Sequence, residues 1–396
     1  MINKLKYQVL ILICVVCLVG SCNESSKGYR STGDKWSIRM ADAVMERVDS
    51  LVYYYGGEVK WQYDIALLGQ AIDRLGSVDS KYSKYMQDFV DYFIREDGSI
   101  DIYKKPDYNL DHINPAKNLI TLYKRTGEQK YLDAIHNFII HLEEQPTTSE
   151  GGFWHKRRYP WQMWLDGVYM SSPFMAQYAK EFNQPEWFDT VALQISIIYH
   201  HTMDPATGLL YHAWDESKEQ QWASPETGQS SQFWGRAIGW YMMALVDVLD
   251  YFPGEHPAYE KIIDILNTTA EAILRVRDPE TGLWYQVLDQ SNREGNYLEA
   301  SCSCMFTYAF AKAAKKGYLK NDYLRIANES FDSILKEFII LGQDGSPSLT
   351  NICGAAGLGG DPYRDGSYDY YVNERRVTND PKGVAPFILA AIELKR

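Results

Sequence analysis

The 396-residue sequence predicts an all-α fold, a closed (α/α)6 toroid of six helical hairpins. Three observations carry that expectation. Segments with apolar residues three and four apart recur along the chain after Trp36, as amphipathic helices require. The loops between them include a near-repeat, "DPATGLLYHAWD" at 204–215 and "DPETGLWYQVLD" at 278–289, each following a helical segment. Strand-like alternation is confined to short pieces such as "GLLYHAW" and "GLWYQVL". Units of helix, long loop and helix must stack on one another to bury their apolar faces, and about six of them fit the chain. An open solenoid of the same hairpins is the alternative. A ring gathers the long loops on one face, where they form a pocket.

Taken in order, the chain begins with a separate object. "MINKLKYQVLILICVVCLVGSC" carries Lys4 and Lys6, then an apolar run from Val9 to Val19, then small residues before Cys22. This is the layout of a signal peptide, too short for a stable membrane span. Its end, "VGSC", resembles a bacterial lipobox, which implies a leader of residues 1–21 and lipid attachment to Cys22. Ordinary cleavage near Ser21, leaving a free Cys22, is the alternative. Residues 22–35 read as a polar tether, and 36–396 as one domain without a linker or a shift in composition. The predicted helices within it are 36–52, 83–96, 116–127, 130–144, a segment from Ser171 to Phe182, 186–202, 239–252, 259–276, 303–319 and 323–340.

Composition narrows the function. The net charge is −12, and removal of the leader takes away two Lys and no acid. Such a chain has no electrostatic footprint for nucleic acid, and an anionic ligand must meet a local basic site. Aromatic residues make up 14% of the sequence, and eight of the 11 Trp fall between Trp154 and Trp240. Aromatic faces stack on sugar rings, and they also fill cores. Of the cysteines beyond Cys22, Cys302, Cys304 and Cys353 lack the spacing of a zinc site and read as small buried hydrophobes. No GxSxG, HExxH, phosphate-loop or EF-hand pattern is present. The glycine-rich "GAAGLGG" at 354–360 lacks dinucleotide spacing and reads as a pocket loop.

The chemistry concentrates around two acids. Asp166 lies inside the apolar and aromatic run "QMWLDGVYMSSPF" (162–174), just ahead of a helix for which Ser172 is a candidate cap. Asp166 itself capping a helix that bends at Pro173 is the alternative. A carboxylate among Trp164, Tyr169 and Met170 is costly to bury without a use or a partner. Burial favours the neutral form of a carboxylic acid, which suits a proton donor. Asp111, in "PDYNLDHINPAKNLI", is the second acid, with helix capping again the competing account. Basic and donor groups follow: His155, Lys156, Arg157 and Arg158 in "FWHKRRYPWQ", His212 in "LLYHAWDES", and Trp234, Arg236 and Trp240 in "SSQFWGRAIGWYMMAL". An Arg between two Trp combines a planar fork for carboxylates with stacking.

The stretches "HKRRYPWQMWLDGVYMSSPF", "WGRAIGWYMMALVDVL", "TGLWYQVLDQ…NYLEASCSCMFTYAFAKAAKKGYL" and "GLGGDPYRDGSYDYYVNERRVTNDPKGVAPFILAAIE" resemble glycoside hydrolase family 105, the unsaturated rhamnogalacturonyl hydrolases, in order from about residue 40 to the C-terminus. The resemblance implies the (α/α)6 toroid and removal of a terminal 4,5-unsaturated uronic acid from a lyase-generated oligosaccharide. It implies Asp166 as general acid/base and Asp111 as the assisting acid. Lys156, Trp164, His212, Trp234, Arg236 and Trp240 are implied to bind substrate, with Arg236 and His212 holding the uronate carboxylate. No metal and no organic cofactor is implied. "SS" after "DGVYM" and "AI" in "WGRAIGW" depart from the commonest family letters, which bears on the sugar rather than the reaction. Unsaturated glucuronate from ulvan or arabinogalactan is the minority reading within the family, and family 88, acting on glycosaminoglycan fragments, is the neighbouring one. A non-catalytic, lipid-anchored sugar-binding protein is the reading of another class.

Overall fold

The computed structural model describes residues 33–396. The expected leader and the lipidated Cys22, with the tether up to residue 32, lie outside the described residues. Thirteen α-helices dominate those that are described: α1 Trp36–Arg47, α2 Tyr63–Asp73, α3 Ser80–Phe93, α4 Ala116–Thr126, α5 Gln129–Glu143, α6 Leu165–Glu181, α7 Glu186–Thr202, α8 Gly235–Val248, α9 Tyr259–Arg275, α10 Ala300–Lys316, α11 Asp322–Phe338, α12 Tyr368–Asn373 and α13 Pro381–Leu394. Three two-stranded antiparallel sheets join loops: β1 Gln162–Trp164 with β2 Ala213–Asp215, β3 Ile339–Leu341 with β4 Pro347–Leu349, and β5 Ile352–Cys353 with β6 Arg376–Val377.

The helices sort into two layers by burial. In α8 every residue is buried, and in α6, α10 and α13 nearly every one is. In α3, α9 and α11 fewer than half are. The first set, with α2 and α4, forms an inner ring; α1, α3, α5, α7, α9 and α11 wrap it. The ring closes where α13 packs on α2, so the toroid rather than the open solenoid is formed. Asn118 of α4 ties that helix to α2 by donating to the Ala66 carbonyl at 3.0 Å.

The sequence reading missed α2 and α13 and began α6 too late. Helix breakers hide the two that were missed: α2 is only 11 residues long with Gly69 inside it, and α13 carries Gly383 and Pro386. Helix α6 starts at Leu165 and runs through Pro173. Proline has no N–H, so the Tyr169 carbonyl four residues earlier loses its helical donor. Asn114 supplies the replacement, its Nδ2 donating to that oxygen at 3.2 Å.

Two motifs find structural explanations. In "WGRAIGW", Gly235 and Gly239 lie on the face of α8 that meets α10. A Cβ at Gly235 would come within 2.9 Å of Cys302 Sγ, and one at Gly239 within 2.6 Å of Met305 Sδ. The glycines therefore set the approach of the two helices. In the near-repeat, Asp204 and Asp278 each accept from the backbone N–H and hydroxyl of the Thr three residues on, at 2.6–2.9 Å. Gly208 and Gly282 follow in the left-handed region at φ +73° and +71°.

Replacing Asn114 with Ala leaves the buried Tyr169 carbonyl without its donor. The expected cost is about 1–3 kcal/mol of folding stability, measured by chemical denaturation, with the helical circular dichroism of the native state unchanged.

Candidate active site

The site is assembled where the β1–β2 pair meets the start of α6. Trp164 pairs with Ala213 across the two strands, and the Leu165 N–H donates to the His212 carbonyl at 3.1 Å. That register puts His212 beside Asp166, the second residue of α6, with His212 Nε2 3.3 Å from Asp166 Oδ2. The contact is not aligned as a hydrogen bond, and Asp166 Oδ2 has no hydrogen-bond partner among the described residues. The helix cap position is taken by Trp164, which makes no side-chain cap bond. Asp166 therefore caps nothing. Its carboxylate, 15% exposed, faces the site.

His212 is held from behind. Its Nδ1 lies 2.7 Å from the Tyr371 hydroxyl. Burial pushes the Tyr371 phenol well up, so its O–H stays on and can donate to Nδ1. A neutral imidazole accepting at Nδ1 carries its proton at Nε2, the nitrogen that faces Asp166.

Asp111 occupies a single 3-10 turn, Leu110–His112, whose cap is Asn109. It too caps no α-helix. Lys156 Nζ donates to Asp111 Oδ2 at 2.5 Å and His155 Nε2 stands 3.4 Å from Oδ1. Burial alone raises the Asp111 carboxyl, but Lys156 and His155 outweigh it and hold it below the usual carboxylate range. Burial pushes His155 down to about 4, so it is neutral at neutral pH. Two backbone bonds lock this turn to β1: the Leu110 N–H donates to the His155 carbonyl at 3.1 Å, and the His155 N–H to the Gln162 carbonyl at 2.8 Å. Gly167 makes room, since a Cβ there would sit 3.0 Å from His155 Nδ1.

Two depressions open along the Lys156–Tyr159 segment that follows His155. One of about 360 Å³ is lined by Asp107, Lys156, Arg157 and Arg158; another of about 640 Å³ by Tyr159, Gln162, Gln220 and Arg364 among others. Among the described residues no group of His, Cys, Asp or Glu is arranged to hold a metal ion.

The family model of Glycosyl Hydrolase Family 88 matches residues 36–396. The chain belongs to that family. It is similar to a solved glycoside hydrolase of family 105 from C. acetobutylicum ATCC 824, at 43% identity and a TM-score of 0.88, covering 91% of this chain and 99% of that one. Among curated proteins, it is 25% identical to the unsaturated rhamnogalacturonyl hydrolase YesR of Bacillus subtilis, over 69% of this chain and 76% of that protein. It is 38% identical to Protein Atu3128 of Agrobacterium fabrum over 57% of this chain and 97% of that one.

In this family 88 hydrolase the residues expected at the site fall into two shells. Asp111, Asp166 and Lys156 are partly exposed, each between 13% and 15%. The others are packed behind them. Trp164 is sandwiched between His155 at 4.6 Å and Tyr159 at 5.1 Å. Trp234 stacks on Tyr371 at 5.6 Å and packs against His212 at 4.8 Å. Trp240 has no exposed surface and stacks on Tyr169 at 5.0 Å, as part of the core. Arg236 differs most from the expectation of a free carboxylate fork. Its Nε donates to Ser301 Oγ at 2.7 Å and its Nη2 to the Cys353 carbonyl, with Glu299 at 3.4 Å. These bonds engage Nε and Nη2, so the Nη1 donors are the ones left for a ligand carboxylate.

Sequence reasoning missed two tyrosines. Tyr371 has no local signal, because its partner His212 lies 159 residues away. Tyr63 opens α2, and the charges of Asp64, Asp111 and Asp166 raise its already buried phenol, while Arg236 lowers it. Its edge rests on Trp240 at 5.8 Å.

Changing Lys156 to Met removes the main charge that keeps Asp111 ionised, so burial then raises that carboxyl. Stability from an acid with a depressed pKa is present at neutral pH and lost as pH falls through its folded value. In the variant the folded value moves up toward the unfolded one, so less stability is lost as pH falls than in the wild type. Denaturant midpoints measured from pH 7 down to pH 3 check the direction, and unchanged profiles would exclude Lys156 as the controlling charge.

Proposed function

We propose that this hydrolase removes a terminal 4,5-unsaturated galacturonic acid, linked to rhamnose, from pectic oligosaccharides left by a lyase. The observation that carries the reading is Asp166: a carboxyl oxygen without a hydrogen-bond partner, at the open end of an inner helix, with His212 3.3 Å behind it. The similarity to YesR, whose name states that activity, supports the substrate class.

In this mechanism the C4–C5 double bond of the sugar is an enol ether and accepts a proton at C4. The Asp166 carboxyl group delivers it, which leaves an oxocarbenium ion at C5. The Asp166 carboxylate then takes a proton from water as the water oxygen bonds to C5, which restores the acid. The product is a hemiketal at C5. Breaking its C5–O5 bond gives a ketone at C5 and a hemiacetal at C1, whose collapse releases the remaining oligosaccharide. One carboxyl group serves both steps, unlike the two-carboxylate schemes of most glycosidases. Asp111, kept ionised by Lys156, adds negative charge that favours the oxocarbenium ion. The donor tautomer of His212 steadies the Asp166 carboxylate once its proton is gone. Trp164 and Trp234 shape the walls from behind.

We also infer export with a lipid on Cys22, supported by Lys4 and Lys6, the apolar run after them and "VGSC". Exchange of Cys22 for Ser is expected to move the protein from the membrane fraction to the soluble fraction of the cell, measured by immunoblot. Equal membrane retention would exclude the anchor.

The reaction destroys the conjugated double bond, so its ultraviolet absorbance reports turnover directly. Wild-type protein is expected to bleach lyase-generated rhamnogalacturonan fragments, and Asp166→Asn to lose at least a thousandfold in kcat with the native fold intact. Loss of absorbance only on glycosaminoglycan fragments would move the protein to another substrate, and full activity in Asp166→Asn would overturn the mechanism.

A further inference from the structure

We propose that Arg158 and Arg364 form a second carboxylate subsite, which takes an internal uronate of the oligosaccharide whose unsaturated end lies at Asp166. The inference rests on the rhamnogalacturonan reading, in which acidic sugars alternate with neutral ones, so a second carboxylate follows the first after one neutral residue.

The protein carries a net charge of −12, yet Lys156, Arg157 and Arg158 are consecutive at the mouth of the site. Lys156 is committed to Asp111, and Arg157 reaches the Pro106 carbonyl at 3.4 Å. Arg158 is exposed and forms no ion pair among the described residues; its guanidinium rests on the Tyr159 ring at 4.9 Å. It lines both depressions. Across the larger one stands Arg364.

Arg364 is held in place before any ligand arrives. Its Nε donates to the Gly359 carbonyl at 2.8 Å, and its Nη2 to the Leu358 carbonyl at 3.0 Å and the Tyr159 hydroxyl at 2.8 Å. The glycine-rich loop is shaped around this group. A Cβ at Gly357 would lie 2.3 Å from Arg364 Nη1, and one at Gly360 3.2 Å from its Nη2. Preorganisation of this kind spares a ligand the entropy of ordering a long side chain. It also gives "GAAGLGG" a purpose that its sequence does not disclose.

The pair is wired to the catalytic wall through one residue. Tyr159 carries Arg158 on its ring and accepts from Arg364, and it stacks on Trp164 with the planes 18° apart. Trp164 in turn stacks on His155, the neighbour of Asp111. Gln162 and Gln220 add neutral donors, and Asp361 is the acid that lines the same depression. Two guanidinium groups against one carboxylate leave the depression positive. Its volume of about 640 Å³ is ample for a sugar residue.

The test compares initial rates on an unsaturated disaccharide, which has one carboxylate, and on the tetrasaccharide, which has two. Arg158 is the clean position, because its side chain holds no part of the fold. Arg158→Gln is expected to lower kcat/KM on the tetrasaccharide about fivefold, through KM and in the range of an exposed charge pair, with the disaccharide unaffected. Arg158→Lys is expected to restore most of the loss. Equal losses on both substrates, or no loss on the tetrasaccharide, would overturn the subsite while leaving the substrate assignment standing. Failure of the wild type to bleach either substrate would instead overturn the rhamnogalacturonan reading, and this inference with it.

Discussion

The buried pair of Arg236 and Glu299 is the contact on which the site's geometry depends. Neither side chain is more than 1% exposed. Removing two charges from water is costly, and the cost is offset only where the remaining lone pairs and protons are satisfied. Here they are. Glu299 accepts from the backbone N–H of Cys302 at 2.7 Å and of Cys353 at 2.9 Å, and from the Ser301 hydroxyl. Arg236 donates to Ser301 and to the Cys353 carbonyl. One pair thus ties the start of α8, the start of α10 and strand β5 into a single unit.

From that unit the catalytic groups follow by contact. Trp234 precedes Arg236 and lies under its guanidinium at 5.6 Å. Its indole N–H is fixed by Gln286 at 3.1 Å, and Gln286 also donates to the Tyr371 carbonyl at 3.0 Å. Tyr371 orients His212, and His212 faces Asp166. Gln286 and His212 hold the same place in the two copies of the repeated loop. The repeat has therefore been used twice, once to clamp an aromatic wall and once to place His212 beside Asp166.

A second consequence is electrostatic. Tyr63, Asp166 and Arg236 lie in the first turns of α2, α6 and α8, and Glu299 caps α10, so several helix N-termini meet at the site or its supports. Partial positive charge at such termini favours anions. The local basic rim of Lys156, Arg158 and Arg364 acts in the same sense, against an overall negative charge. An acidic protein can in this way receive an acidic sugar at one place and repel it elsewhere.

The sequence by itself determined the helical class, the six-fold stacking of hairpins, and the two acids around which the candidate site is built. Amphipathic period, loop repeat and a carboxylate stranded among aromatics are all local patterns. It did not disclose α2 and α13, where Gly69, Gly383 and Pro386 interrupt short apolar segments. Nor could it tell a Trp or Arg that touches a ligand from one that supports the residue in front of it. Trp240 and Arg236 sit in the most specific motif of the chain, yet one is core and the other is held by Glu299. Tyr371, 159 residues from His212, has no local mark at all. The tertiary structure decided those roles, because exposure and hydrogen-bond partners arise from segments distant in the chain and not from the neighbours of a residue along it.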